Sequence, residues 1–219
     1  ICPVGEIFKL KPYMEETSYP MQQSETYDCT CGSNVSQCVF WKSVMQEFTT
    51  QELYPHPAPL SYKVKALLKG LFDKSFQVNH PLQELYQEVR RVAQRQNDTH
   101  IDTIIDSSKS LPYLFHLEES NINTKVIHLV RDGRGVVNSH EKRGFNWFKS
   151  WFDWLKGTFL TSFYLYFHKH QQDYILLSYD HFAKHPTTVL DRLDEELDLQ
   201  LPPLEESLER TKQSSNHTF

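Results

Sequence analysis

The sequence predicts an α/β fold, a three-layer sandwich with a central parallel sheet, and three observations lead there. Short runs rich in β-branched and aliphatic residues recur at 102–106, 125–130 and 173–178, and between them lie stretches with apolar residues every three or four positions. Those stretches are long enough for crossover helices, and strands joined by crossovers pair in parallel. The run KVIHLV also alternates poorly, being apolar on both faces as a strand covered from both sides would be. A single domain over 1–219 is therefore expected, with the three strands in one sheet.

The elements follow in order. Residues 11–39 are rich in Tyr, Pro, Ser, Thr and Gln without an apolar period, and read as an irregular surface loop that carries cysteines. Helical patterning starts near Val39 and continues through SYKVKALLKGLF (61–72) and PLQELYQEVRRVAQRQ (81–96). DTIIDSS (102–108) is the first strand. KSLPYLFHLEES reads as a helix whose proline suits the first turn. KVIHLV (125–130) is the second strand, followed by helices from about Gly135 and over roughly 147–171. DYILLSY (173–179) is the third strand, and TTVLDRLDEEL (187–197) the last helix.

Composition narrows the function classes. With 39% hydrophobic and 13% aromatic residues the chain can bury a core, so it is not disordered throughout. A formal net charge of −5 argues against a general nucleic-acid binder. No window has the roughly 18–20 apolar residues of a membrane-spanning helix. The greasy stretch 145–167 is interrupted by Lys149, Asp153 and Lys156 and reads as an amphipathic helix. The chain is expected to be cytoplasmic.

Four cysteines stand at Cys2, Cys29, Cys31 and Cys38. Structural zinc sites usually space their paired ligands as C-x2–4-C, whereas one residue separates Cys29 from Cys31. The reading favoured is a cysteine-bearing loop, thiol or disulfide, with no metal assigned; a metal site completed by Cys2 is the alternative.

The segment VIHLVRDGRGVVNSH (126–140) stands where α/β proteins bind ligands, past the carboxyl end of a strand. Arg131 can offer paired donors to a phosphate or sulfate. Gly133 and Gly135 permit a tight turn and close approach of the backbone to a ligand. The next helix would direct backbone N–H groups at an anion, and Ser139 would add a hydroxyl. Asp132 is expected to order the turn. On pattern alone, an Arg131–Asp132 surface ion pair competes closely with this reading. No Walker-type loop occurs, and G-x-G at 133–135 lacks its third glycine.

KVIHLVRDGRGVVNSH resembles the signature of sulfotransferases that take their sulfuryl group from 3′-phosphoadenosine 5′-phosphosulfate. In that family a strand ends in Arg-Asp-(Pro or Gly)-Arg, and a serine eight residues after the first arginine joins it on the donor's 3′-phosphate. Arg131 and Ser139 match those positions. IIDSSKS, SYDHFAKHP, VGEIF and Cys-x-Cys-Gly…Cys-x-Phe-Trp resemble further segments of the bacterial branch, in the same order, so that the likeness spans most of 3–199.

The resemblance implies a P-loop-nucleotide-hydrolase-like sulfotransferase fold and transfer to an acceptor hydroxyl or amine on a small molecule, carbohydrate or peptide. The family's Gly/Ser/Thr-rich 5′-phosphosulfate loop has no counterpart in these residues, so the first strand and loop are expected to be missing and the isolated chain to transfer little.

Arg134 and Lys109 are further candidates for the donor. The tyrosine-directed relatives carry Gly-Glu-Glu with the second Glu as base, and here Ile7 holds that place. Glu6 remains a catalytic candidate on the ground that a pocket can raise a carboxylate's pKa into a useful range. His100, His128 and His140 are alternatives by type, with His128 read as a satisfied core histidine. Trp147, Trp151 and Trp154 recur at helical spacing and are expected to pack on the core. Two other classes compete: a non-catalytic module binding a nucleotide phosphate, and a nucleotide-dependent kinase of related architecture.

Overall fold

The computed structural model describes residues 2–15, 29, 31–49, 80–120, 122–168, 173–199 and 201. Among these residues the strands and α-helices follow in order: β1 (Cys2–Gly5), α1 (Leu10–Glu15), α2 (Val39–Val44), α3 (His80–Asn97), β2 (Ile104–Asp106), α4 (Leu111–Glu119), β3 (Val126–Val130), α5 (Gly133–Glu141), α6 (Trp147–His168), β4 (Tyr174–Ser178), α7 (Tyr179–Lys184) and α8 (Pro186–Leu197). The protein is a mixed α/β structure, and its contacts gather into two compact units divided after Asn123.

In the first unit β1 and β2 pair in parallel, Cys2 opposite Ile104 and Gly5 opposite Asp106. The core collects Ile7, Phe8, Leu10, Val35, Trp41 and Val44 with Leu82, Leu85, Val89 and Val92 of α3. Those four α3 positions follow the three-and-four spacing expected of a helix that buries one stripe. Ser110 caps α4 by accepting the Tyr113 N–H at 3.4 Å, and its proline stands in the first turn as anticipated. At the carboxyl end of β2, Asp106 accepts the Tyr86 hydroxyl, while the Ser108 N–H reaches it at 2.8 Å. Burial raises the Asp106 carboxyl above its ordinary range.

In the second unit β3 and β4 are parallel and in register, Val126 opposite Tyr174 and Val130 opposite Ser178. Helix α8 lays Val189, Leu193 and Leu197 on Ile175 and Leu177.

Several expectations change. The strands form two two-stranded parallel sheets rather than the single sheet expected. The sequence reading also missed a strand: β1 takes β2 as its neighbour, and its four residues, lacking β-branched alternation, gave little signal. Part of the segment read as irregular, 11–39, is the helix α1 and a 3-10 turn at Val35–Gln37. The second strand is not covered on both faces. Ile127 and Leu129 share a face with Ile175 and Leu177 by register, yet they remain 42% and 46% exposed because α8 packs over β4. The tryptophan stripe on α6 is not core as a whole: Trp147 is 58% and Trp151 39% exposed, while Trp154 is half-buried. The helix predicted over 61–72 lies outside the described residues. No helix among the described residues is long and apolar enough to cross a membrane.

Candidate functional site: the carboxyl end of β3 and the face of α5

Strand β3 ends at Val130 and α5 begins at Gly133, so Arg131 and Asp132 form the whole connection. In-register pairing brings the carboxyl ends of β3 and β4 level, making Arg131 and Tyr179 neighbours just past them. The guanidinium carbon of Arg131 sits 4.9 Å from the centroid of the Tyr179 ring. Stacking of this kind orients a cation while leaving its edge donors available.

Arg131 also lies against α5. A methyl group in place of the Gly135 hydrogen would meet Arg131 Nε at 3.4 Å. Gly135 and Ser139 are four residues apart on one helix face, about 6 Å along the axis. Arg143 continues that face and donates from Nη2 to Ser139 Oγ at 3.0 Å and from Nε to the Ser139 carbonyl at 3.2 Å. Arg131 beside Gly135, and Ser139 with Arg143 one turn further on, therefore lie along one side of α5. The sequence reading missed Arg143. Its only signal is the four-residue step from Ser139, which places it on the same face.

The competing ion pair resolves differently from either expectation. Arg131 has no acidic partner among the described residues. Asp132 instead pairs with Arg134, whose Nη2 donates to Oδ2 at 2.7 Å and whose Nε donates to Oδ1 at 3.1 Å. Asp132 also caps α5, accepting the Arg134 backbone N–H at 2.8 Å. The Arg134 side chain, helped by that backbone bond, holds the Asp132 carboxyl down to about 2. Arg134 is thus engaged with Asp132 in an exposed ion pair. The first turn of α5 is already capped by a carboxylate, so an anion would meet the side of the helix and not its N-terminus.

Two tryptophans fix this connection from behind. The Trp154 Nε1–H donates to the Arg131 carbonyl at 3.1 Å. The rings of Trp154 and Trp151, with centroids 5.2 Å apart, close on Gly133 so tightly that an added Cβ would lie 2.7 Å from Trp154 and 2.8 Å from Trp151. Only glycine fits there. No protein-family model, curated protein or solved structure matches this chain.

Glu6 and Lys109 form an ion pair of 3.0 Å in the first unit, with Lys9 2.9 Å from the other carboxylate oxygen. Burial pushes the Glu6 carboxyl upward, but the hydrogen bonds and charges of Lys9 and Lys109 outweigh it and the net direction is down. Glu6 thus departs from the raised pKa expected of a general base, because two ammonium groups hold it ionised. Lys109 lies in that pair with its side chain largely exposed. His100 is an exposed ring bonded to Asp102 at 2.7 Å, and His140 packs on Phe145. His128 is half-buried, and its Nδ1 has no hydrogen-bond partner among the described residues, so it departs from the satisfied core histidine expected. Burial lowers its pKa.

The cysteine loop also gains definition. The sulfurs of Cys29, Cys31 and Cys38 gather at one place in the first unit, all within 4.8 Å of one another, and Cys2 is not among them.

Proposed function

We propose that this chain belongs to a sulfotransferase that uses 3′-phosphoadenosine 5′-phosphosulfate, with Arg131 and Ser139 holding the donor's 3′-phosphate. The observation that carries this reading is the Arg131 guanidinium, stacked on Tyr179 and lacking an acidic partner among the described residues, on the same helix face as Ser139. A phosphate laid along that face would take charge-assisted hydrogen bonds from Arg131, the Ser139 hydroxyl and Arg143. Anchoring a remote phosphate orients the reacting end, and sulfuryl transfer asks chiefly for in-line positioning and for charge stabilisation on the equatorial oxygens. The reading carries with it a P-loop-like sulfotransferase fold, a cytoplasmic setting, and an acceptor hydroxyl or amine on a small molecule, carbohydrate or peptide.

Isothermal calorimetry with adenosine 3′,5′-bisphosphate tests the pocket, and transfer of radiolabelled sulfate to a panel of acceptors tests the reaction. Weak, salt-sensitive binding that Arg131→Ala weakens and Arg134→Ala leaves intact supports the pocket. Equal binding by wild type and Arg131→Ala refutes it. A second reading, a nucleotide-phosphate-binding module without transfer, is favoured by Glu6, whose lowered pKa is not that of a poised general base. Binding without turnover would select that reading.

A further inference from the structure

The gathered sulfurs of Cys29, Cys31 and Cys38 have a geometry that a cysteine loop does not require. The Cys31–Cys38 and Cys29–Cys38 sulfur separations are both 3.6 Å, far beyond the roughly 2.05 Å of a disulfide. Four thiolates bound tetrahedrally at about 2.3 Å from a zinc ion stand about 3.8 Å apart. With two edges of 3.6 Å and a third no longer than 4.8 Å, one point lies within about 2.4 Å of all three sulfurs. Few side-chain movements would be needed to admit an ion.

The backbone is arranged for the same purpose. Gly32, at a positive φ of 82°, closes a tight turn in which its N–H donates to the Cys29 carbonyl at 2.8 Å, while the Cys29 N–H donates to the Ser33 carbonyl at 2.8 Å. This turn folds Cys29 and Cys31 back towards each other despite their single-residue spacing, which is how the C-x-C pattern escapes the usual spacing rule. The Cys31 N–H reaches the Cys29 sulfur and the Ser33 N–H reaches the Cys31 sulfur. Amide donors to sulfur spread thiolate charge and are the outer-shell support a metal–thiolate centre needs. Cys38 is buried beside Val35 and Trp41 in the core of the first unit, so an ion held there would be tied to that core.

We propose that Cys29, Cys31 and Cys38 bind one zinc ion in a structural centre that fastens the 29–38 loop onto the first unit's core. Three thiols bind one Zn²⁺ as thiolates and release three protons to solvent, with no change of oxidation state. This centre is independent of the nucleotide pocket. Its fourth vertex is read from the metal's own spectrum.

Cobalt(II) titration of the full, reduced chain is the test, followed by zinc displacement and by elemental analysis after dialysis. One equivalent of cobalt should produce thiolate-to-metal charge transfer and the intense ligand-field bands of a tetrahedral ion, and zinc should abolish both. Cys31→Ser, at an exposed position that leaves the core intact, should weaken metal retention by more than the roughly 10–100-fold lost with an outer-shell partner. Cys2→Ser should leave it unchanged. Chelation of zinc should lower the thermal midpoint of the wild type. An octahedral cobalt spectrum, no cobalt uptake, or equal uptake by Cys31→Ser would overturn the centre. So would an intact mass two hydrogens low in protein purified without reductant in the presence of zinc.

Discussion

Two helical glycines of this protein should respond to alanine with opposite signs. At Gly133, the first residue of α5, the new methyl would lie 2.7 Å from two ring carbons of Trp154 and 2.8 Å from one of Trp151. These rings cannot swing aside without cost, since Trp154 is tied to the Arg131 carbonyl at 3.1 Å and packs on Trp151. Overpacking of this kind costs about 1–3 kcal/mol. The intrinsic preference for alanine over glycine returns up to about 1 kcal/mol in a helix interior and less at its first position. Gly133→Ala should therefore destabilise the protein by about 1–2 kcal/mol. Gly157, within α6, has nothing within 4 Å of an added Cβ, so Gly157→Ala should stabilise by up to about 1 kcal/mol. Urea unfolding followed by tryptophan emission and by far-ultraviolet circular dichroism measures both. A Gly133→Ala protein as stable as wild type would mean that the tryptophans do not close on the β3–α5 connection, and the positioning argued for Arg131 would fail with it.

Arg131→Ala should weaken binding of adenosine 3′,5′-bisphosphate by about 1.5–3 kcal/mol, the range for a charge-assisted hydrogen bond, as read by calorimetry at fixed salt. Arg143→Ala should weaken the same binding, whereas Arg134→Ala should change it little because that guanidinium is held by Asp132. Trp154→Phe should cost about 0.5–1.5 kcal/mol in urea unfolding through the lost indole donor, and should also loosen nucleotide binding by freeing the Arg131 backbone. His128, with its folded pKa depressed by burial, binds a proton more readily when unfolded; stability is full above its ordinary value of about 6.5 and falls as pH drops through the lower folded value. His128→Leu should flatten that fall in urea midpoints measured across the acid range. Glu6, also depressed, stabilises above its ordinary range through Lys9 and Lys109 and loses this as pH falls through its folded value, a dependence that Glu6→Gln should remove.

Much of this protein was legible in the sequence wherever a residue's role depends on its near neighbours. The strands at 104–106, 126–130 and 174–178 and the helices α3, α4, α5 and α8 follow from side-chain period and from turn residues such as Asp132. The shared face of Arg131, Gly135 and Ser139 follows equally from a two-residue connection and a four-residue step. Tertiary structure decided what sequence spacing cannot express. β1 is a strand because β2 accepts it, and its four residues carry no period of their own. Asp132 chose Arg134 over Arg131 because the cap turns its carboxylate towards the Arg134 backbone N–H, which leaves Arg131 to Tyr179, forty-eight positions away but adjacent across the sheet. Gly133 looked like a turn residue and is in fact a contact surface for two rings. The thiols of Cys29, Cys31 and Cys38 meet because Gly32 takes a left-handed turn while Cys38 is anchored in the core, a coincidence of backbone and burial that no count of intervening residues contains.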